Sequence, residues 1–378
     1  MKIEMVDLHR QYERIKEEVN EQIQEVLNSC AFINGPQVKE FCENLAIYNN
    51  VKHVIPCANG TDALQIALMT LDLKPGDEVI VPVHTYVATA EVIALLQLTP
   101  VFVDCEDRFF SIDVTQIEDK ITSKTKAIVP VHLYGQCADM DKLLSIAQKY
   151  HLYVIEDAAQ AIGAEYHFPD GHSSMAGCMG NMGTTSFFPS KNLGGYGDGG
   201  AIFTNDDDLA QKAKMIANHG QRIKYHHDMI GCNSRLDTLQ AAILNVKLRY
   251  LNDYKIARNS AADYYDHALN GIDGLILPHR KSNCTHVFHQ YTIRVTNDRR
   301  DALKAFLQEE GIPSMIYYPI PLHQQKGYQK VNTASFPTAE RLSREVLSIP
   351  IHTEMTKQQL EYITHTIRSF FETEFPNK

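Results

Sequence analysis

The sequence predicts an α/β protein with a large domain built on a mostly parallel sheet and a smaller C-terminal α+β domain. In residues 75–164, short apolar runs alternate with helical periods, a pattern typical of a parallel sheet covered by helices on both faces. The 378-residue length is more than one small core requires. The pattern also changes after a long helical stretch. We therefore expect a large domain over 1–250 and a small domain over 251–378.

Seven short runs are predicted to be strands of the large sheet: His53–Cys57, Glu78–Val81, Val101–Asp104, Ala127–Val131, Leu152–Ile155, Thr184–Phe188 and Ala201–Thr204. Apolar residues at steps of three and four predict helices over 7–28, after Pro36, after Asp62, near Ala88–Leu98, over Met140–Tyr150, over Asp207–Ala217 and along Leu236–Leu269. The small domain is predicted from extended runs at Gln290–Val295 and Ser314–Tyr318 and from helices near Asp301–Glu310 and Lys357–Phe371.

The composition excludes several classes of function. A net charge of -10 argues against nucleic acid or an anionic membrane as the main partner. No apolar run approaches the roughly 20 residues of a membrane span, and the charged N-terminus does not resemble a secretory signal. The eight cysteines are scattered singly, which favours reduced thiols in a cytoplasmic protein and gives no sign of a metal site.

The stretch SFFPSKNLGGYGDGGAIFTND, residues 186–206, carries the first chemical signal. Lys191 lies between an apolar run and a glycine-rich loop, where backbone can approach a flat ligand closely. A desolvated lysine has a lowered pKa and can condense with an aldehyde, so Lys191 is a candidate Schiff-base lysine. A glycine-rich hairpin with a solvated lysine explains this stretch alone about equally well.

Polar residues follow other predicted strands, where ligands of parallel sheets gather. Asp157 ends the run VIED and could keep a pyridine nitrogen protonated, although taken alone it fits a helix cap better. Gly60 and Thr61 stand at a strand-to-helix junction that suits a phosphate or a plain cap. Tyr86 could stack on a planar cofactor or pack in the core. Ser186 is a second candidate phosphate hydroxyl, or an ordinary strand serine.

The order of these signals resembles the DegT/DnrJ/EryC1/StrS family of sugar aminotransferases that depend on pyridoxal phosphate. The resemblance covers nearly the whole chain, through VDLHRQYERIKEEV, NGTDALQIAL, VPVHTYVATAEVI, VPVHLYGQCADMD, VIEDAAQAIGA, the glycine-loop stretch, NSRLDTLQAAIL and IYYPIPLHQQ. It implies the aspartate aminotransferase-like fold (type I) and a ping-pong transfer. An amino acid, expected to be glutamate, would give its amine to the cofactor and convert it to pyridoxamine phosphate. A nucleotide-linked keto-sugar would then receive the amine from pyridoxamine phosphate.

The resemblance also implies a role for each matching cofactor residue. Lys191 would bind the cofactor covalently and later move protons. Asp157 would pair with the pyridinium nitrogen, while Gln160 would lie near the ring hydroxyl and Tyr86 would stack on the ring. The phosphate would be held by three residues of the same chain and one of a neighbouring subunit, which implies a homodimer: Gly60, Thr61, Ser186 and, from the neighbour, Asn233.

The substrate side is less constrained. NSRLDTLQAAIL resembles the 3-keto branch, whereas 4-keto enzymes more often have N-Y-R there, so amination at C3 of a UDP- or dTDP-linked hexose or uronate is expected. Arg235 would meet a uronate carboxylate, or form a surface salt bridge. Tyr318 and His323 are candidate sugar contacts, although Tyr317 stands where the family often has histidine, and His323 fits a structural role equally well. Ile162 likewise replaces a frequent histidine.

Four alternatives remain at this point. A 4-keto nucleotide-sugar aminotransferase fits the motifs. A non-catalytic sensor of the same fold is disfavoured because Lys191, Asp157 and the phosphate residues are all present. A dehydratase is disfavoured because such relatives replace the lysine with histidine. A nucleotide-binding module is disfavoured because GGYGDGG precedes a strand and lacks the G-x-x-x-x-G-K-[ST] order.

Overall fold

A computed structural model describes residues 2–328 and 334–374 of the chain. Its strands, numbered along the chain, are β1 His53–Cys57, β2 Glu78–Pro82, β3 Thr99–Val103, β4 Thr125–Ile128, β5 Tyr153–Asp157, β6 Glu165–His167, β7 Ser173–Met175, β8 Met182–Ser186, β9 Gly200–Thr204, β10 Gln221–Ile223, β11 His226–His227, β12 Leu275–Ile276, β13 Tyr291–Val295 and β14 Val346–Ile349. Its α-helices are α1 Leu8–Ser29, α2 Pro36–Asn49, α3 Gly60–Met69, α4 Ala88–Leu95, α5 Met140–Tyr150, α6 Asp207–Ile216, α7 Thr238–Arg249, α8 Leu251–Ala268, α9 Arg300–Glu309, α10 Pro337–Glu345 and α11 Lys357–Glu374.

The large sheet has seven strands in the order β1-β9-β8-β5-β4-β2-β3. Only β9 runs against the others, because it pairs antiparallel with both β1 and β8 while the remaining pairs are parallel. This confirms the predicted mostly parallel α/β architecture. The carboxyl ends of β1, β2, β5 and β8 therefore lie along one edge of the sheet, which is where parallel sheets bind ligands.

A second apolar core lies under the three-stranded sheet β12-β13-β14. Most of its buried residues come from α8, α9, α11 and these strands, and Ile3 is added from the N-terminus. Six residues between α9 and β14 or at its start instead pack on the core of the large sheet: Leu322, Tyr328, Phe336, Ala339, Leu342 and Val346. The division at residue 250 stays a prediction.

Some predicted elements differ from the structure. The pattern Leu236–Leu269 is two helices, α7 and α8, because Tyr250 leaves helical geometry with φ -98° and ψ 0°. Ser314–Tyr318 is not a strand and contributes one bridge, Met315 to Ser348. The long helix was predicted as continuous because the break contains neither glycine nor proline. No helix in the described parts of the chain is long and apolar enough to cross a membrane.

Candidate active site

A cavity of about 670 Å³ opens at the carboxyl ends of the parallel strands. Eight residues singled out in the sequence line it: Gly60, Thr61, Tyr86, Asp157, Gln160, Ser186, Lys191 and Tyr318. They come from positions up to 258 residues apart in the chain. Seven of them follow strands that end at one edge of the sheet, and Tyr318 reaches the cavity from an irregular segment after α9. Four separate strand-end motifs thus form a single site.

Lys191 is a partly buried lysine in the loop between β8 and β9. Its backbone N–H donates to the carbonyl of Phe188 at 2.8 Å, which closes a tight turn after the strand. Burial lowers the pKa of Lys191 to about 8, while the nearby Asp157 carboxylate opposes that shift. A substantial fraction of this amine is therefore neutral at mildly alkaline pH and can act as a nucleophile or a base.

Asp157 ends β5 with its carboxylate buried and oriented by two donors. The hydroxyl Oγ1 of Thr89 donates to Oδ2 at 2.9 Å, and the backbone N–H of Ala159 donates to Oδ1 at 3.2 Å. Thr89 is 1 % exposed and Asp157 is 6 % exposed. Donors on both oxygens hold the carboxylate in a fixed orientation, which suits a group that has to pair with a ring nitrogen.

The neighbouring acid, Glu156, has a structural role. It is 0 % exposed and accepts from His132 Nε2 at 2.8 Å. It also accepts from three backbone N–H groups of the turn before β8, those of Gly177, Met179 and Gly180. This network joins the end of β5 to the start of β8 and so fixes the strand that carries Asp157.

The N-terminus of α3 and the end of β8 form a cradle for an anion. A Cβ added to Gly60 would lie 2.7 Å from the Cβ of Ser186, so a larger residue would collide with the serine. Asn59 caps the helix by accepting from the N–H of Asp62 at 2.8 Å, which leaves the first amides of α3 directed at the cavity edge. Free amides, a positive helix end and two hydroxyls suit a phosphate.

The opposite wall of the cavity is built from hydrogen-bonded aromatic residues. Gln160 accepts from the backbone N–H of Tyr134 at 2.7 Å and donates to the hydroxyl of Tyr318 at 3.2 Å. The hydroxyl of Tyr134 donates to the carbonyl of Tyr317. The ring of Tyr86 is 56 % exposed and lies 6.1 Å from that of Tyr318, which leaves one face open for a planar ligand.

Taken together, these residues fit pyridoxal phosphate. The cavity supplies an amine of lowered pKa, a buried carboxylate, an anion cradle and an open aromatic face, which correspond to the aldehyde, ring nitrogen, phosphate and ring of that cofactor. Among the described residues no group of three or more histidine, cysteine, aspartate or glutamate side chains could hold a metal ion.

Three predicted residues are not among those that line this cavity. Asn233 is exposed, next to Ser234, whose hydroxyl donates to Asp62 Oδ2 at 2.6 Å and so connects this segment to α3. Arg235 is partly exposed. His323 is 7 % exposed, and its Nε2 lies 3.1 Å from Glu340 Oε1. The roles assigned to these three residues stay predictions.

The structure adds site residues that sequence reasoning missed. Thr89 supports Asp157 from outside the cavity lining and lies four residues after Thr85, so the helical period after VHTYVAT was the available signal. His289 and Gln290 line the cavity, from the segment before β13. The local sequence of that segment contains no motif that indicates a binding site. The segment reaches the cavity through tertiary packing, although it lies nearly 100 positions after Lys191.

Comparison with known proteins gives a consistent result. Residues 13–368 match the model of the DegT/DnrJ/EryC1/StrS aminotransferase family. The chain is 46 % identical, over 98 % of its length and 99 % of the relative, to the pleiotropic regulatory protein of Geobacillus stearothermophilus.

Two further relatives have names that state an activity. One is the UDP-N-acetyl-3-dehydro-alpha-D-glucosamine 3-aminotransferase of Acidithiobacillus ferrooxidans, 45 % identical over 97 % of both chains. The other is the UDP-2-acetamido-2-deoxy-3-oxo-D-glucuronate aminotransferase of Pseudomonas aeruginosa, 46 % identical over 96 % of this chain and 98 % of the relative. Among solved structures, NtdA from Bacillus subtilis with bound cofactor PMP superposes with a TM-score of 0.87 at 32 % identity, covering 94 % of this chain and 82 % of that one.

Proposed function

The chain belongs to the DegT/DnrJ/EryC1/StrS aminotransferase family, and from that premise we propose that it transfers an amino group from an amino acid to a nucleotide-linked keto-sugar. The observation that carries the proposal is the meeting of Lys191 and Asp157 with the anion cradle in one cavity. A PMP-bound relative and two relatives named as aminotransferases of 3-dehydro or 3-oxo UDP-sugars support it. Glutamate is the expected amino donor.

The chain's own residues would hold pyridoxal phosphate as follows. Gly60, Thr61 and Ser186 would bind the phosphate, and Asp157 would pair with the ring nitrogen. Tyr86 would cover one ring face, with Gln160 near the ring hydroxyl. When bound, the cofactor supplies an aldehyde that links to amines and a ring that withdraws electrons from the attached carbon.

Lys191 would then move the protons. Its Nζ is neutral in a substantial fraction of molecules above pH 8, because burial lowers its pKa to about 8. Such an amine can take a proton from carbon and return it to a neighbouring atom, which is the step that an amino transfer requires in each direction. Thr89 holds the Asp157 carboxylate in place through its hydrogen bond to Oδ2, so that this carboxylate would stay paired with the ring nitrogen.

We place the amination at C3 of a UDP- or dTDP-linked hexose or uronic acid. Both relatives with a stated activity act, by their names, on 3-keto sugars, one of them a glucuronate and the other a glucosamine. Arg235 would meet the carboxylate in the uronate case. Tyr318 and His323 remain candidate sugar contacts, and of these Tyr318 lines the cavity. Surface polysaccharide or amino-sugar biosynthesis would use such a product.

A homodimer completes the proposed site. Asn233 is exposed in the single chain, so it is available to reach the phosphate bound by a neighbouring subunit. A cytoplasmic location is proposed with it, supported by eight cysteines that are all free.

The experiment is a half-reaction panel. Protein loaded with pyridoxal phosphate should be yellow and lose that colour when glutamate is added. The resulting form is then mixed with 3-keto and 4-keto nucleotide sugars, and the products are weighed by mass spectrometry. We expect faster amination of 3-keto compounds. Faster amination of 4-keto compounds would favour the 4-keto alternative, and turnover by Lys191→Ala would contradict the mechanism.

A second candidate is a sensor that binds the cofactor without turnover. It is favoured by one observation, the name of the 46 % identical regulatory relative. In that case the yellow protein would form, but neither glutamate nor any keto-sugar in the panel would change it.

A further inference from the structure

His289 is a cavity residue without a role in the function proposed so far. It is 5 % exposed and lies two residues before β13. Its carbonyl lies 3.4 Å from the Nη1 donor of Arg258, and its backbone nitrogen is so close to Gly135 that a Cβ there would be 2.9 Å away. Its backbone is thus held tightly, so the ring has a defined direction.

The hydrogen bonds of Asn192 define the tautomer of this ring. Asn192 Nδ2 donates to the carbonyl of Val287 at 2.9 Å, so its oxygen Oδ1 is the atom that faces His289. His289 Nδ1 lies 3.3 Å from that oxygen. A side-chain amide oxygen only accepts, so we assign the hydrogen to Nδ1, which leaves Nε2 with a lone pair.

The ring is neutral, and Nε2 faces the cavity. Burial, together with the positive charges of Lys191 and Arg258, holds the pKa of His289 well below its usual range. Across residues 2–328 and 334–374, Nε2 has no hydrogen-bond partner. It is also not one of the fully buried polar atoms that lack a partner, so it retains some accessible surface. Because the side chain lines the cavity, this nitrogen is open to a ligand.

On the basis of the proposed function, we infer that His289 Nε2 accepts a hydrogen bond from a sugar hydroxyl next to the carbon that is aminated. An acceptor repels a carboxylate oxygen, so the carboxylate of the amino donor does not bind there. The amine of the amino acid is itself the reacting group. A sugar hydroxyl, in contrast, is a neutral hydrogen-bond donor of matching size. The proximity to Lys191, which serves the reacting carbon, selects a hydroxyl adjacent to that carbon.

His289 is therefore a specificity-determining residue for the sugar and not for the amino acid. A His289→Leu variant should show a raised KM for the keto-sugar with an unchanged half-reaction toward glutamate. A purely structural role would impair both half-reactions. His289→Gln, whose amide offers both a donor and an acceptor, should retain most of the sugar half-reaction.

The decisive test measures binding rather than turnover. UDP-N-acetylglucosamine has no keto group to react, and its 4-deoxy analogue lacks the hydroxyl next to C3. Isothermal titration calorimetry with cofactor-loaded protein should show that the 4-deoxy analogue binds wild type about 5–10-fold more weakly, the usual value of one hydrogen bond. His289→Leu should bind UDP-N-acetylglucosamine about 5–10-fold more weakly than wild type does. This variant should bind the 4-deoxy analogue with the same affinity as UDP-N-acetylglucosamine.

Each outcome separates the two proposals. If the His289→Leu change and the loss of the 4-hydroxyl weaken binding by separate, additive amounts, the His289 inference is wrong while the proposed function stands. The same conclusion follows if neither change weakens binding. If wild type neither binds the UDP-sugar nor aminates any keto-sugar, the proposed function fails and the inference fails with it. His286→Gln is the matched control, because that buried histidine stacks on Phe288 with ring centroids 3.9 Å apart and does not line the cavity.

Discussion

Replacing Thr89 with valine tests whether the orientation of Asp157 matters for cofactor binding. The hydroxyl of Thr89 donates to Asp157 Oδ2 at 2.9 Å, and the two residues are only 1 % and 6 % exposed. Thr89→Val has nearly the same shape but removes the donor. Water has little access to this buried pair, so the lost hydrogen bond is not replaced.

The expected size follows from the charge of the acceptor. A hydrogen bond to a charged group contributes about 1.5–3 kcal/mol. The N–H of Ala159 still donates to the other oxygen, so the carboxylate keeps part of its orientation. We therefore expect the lower end of that range in cofactor affinity, about 10-fold weaker binding of pyridoxal phosphate.

The assay is a fluorescence titration of cofactor-free protein with pyridoxal phosphate. Thr89→Ser keeps a hydroxyl at the same place and should bind like wild type. Thr85→Val is a second control, because the Thr85 hydroxyl lies 3.4 Å from that of Thr89 and does not reach Asp157. Wild-type affinity in Thr89→Val, or an equal loss in Thr89→Ser, would refute the reasoning.

Three further predictions concern the cradle, the interface and a second buried lysine. Gly60→Ala places a Cβ 2.7 Å from Ser186 Cβ and should lower the affinity for pyridoxal phosphate at least 10-fold, whereas Gly327→Ala, with nothing within 4 Å, should bind normally; equal binding would contradict the cradle. Mixing inactive Lys191→Ala with a weakly active Asn233→Ala variant should restore about a quarter of wild-type activity, because half the dimers then contain one intact shared site; no recovery after subunit exchange would argue against a shared site. Lys247 is 1 % exposed, and burial lowers its pKa to about 7, so the folded state disfavours its charged form. Lys247→Met should stabilise the protein by roughly 1–3 kcal/mol in urea unfolding at pH 7, and the gain should shrink as the pH rises toward 10, because the unfolded lysine alone holds a proton in that window. A gain that does not depend on pH would contradict the shifted pKa.

The parts of the site that follow strand ends were predictable from sequence. Asp157, Ser186 and Gly60 each stand where an apolar run stops, so a parallel sheet brings them to one edge. The requirement for a desolvated Lys191 also agrees with the structure, since burial lowers its pKa. The mostly parallel sheet is confirmed for the same reason, as its strands are short apolar runs separated by clear helical periods.

The parts that depend on long-range packing were not predictable. His289 reaches the cavity from a loop without regular structure, and its tautomer is defined by a hydrogen bond to Asn192 across 97 positions. The break at Tyr250 is a change of two backbone angles inside an unbroken apolar period. Helical and strand periods carry no information about either of these two features.

Borohydride trapping tests the central claim most directly. Among the lysines of residues 2–328 and 334–374, two have a lowered pKa, Lys191 at about 8 in the cavity and Lys247 at about 7 on α7. Borohydride makes a lysine–pyridoxal link permanent, and peptide mass spectrometry then locates it. The account predicts a single pyridoxyl modification on Lys191, lost in Lys191→Ala. A modification on Lys247 or another lysine, or none at all, would contradict it.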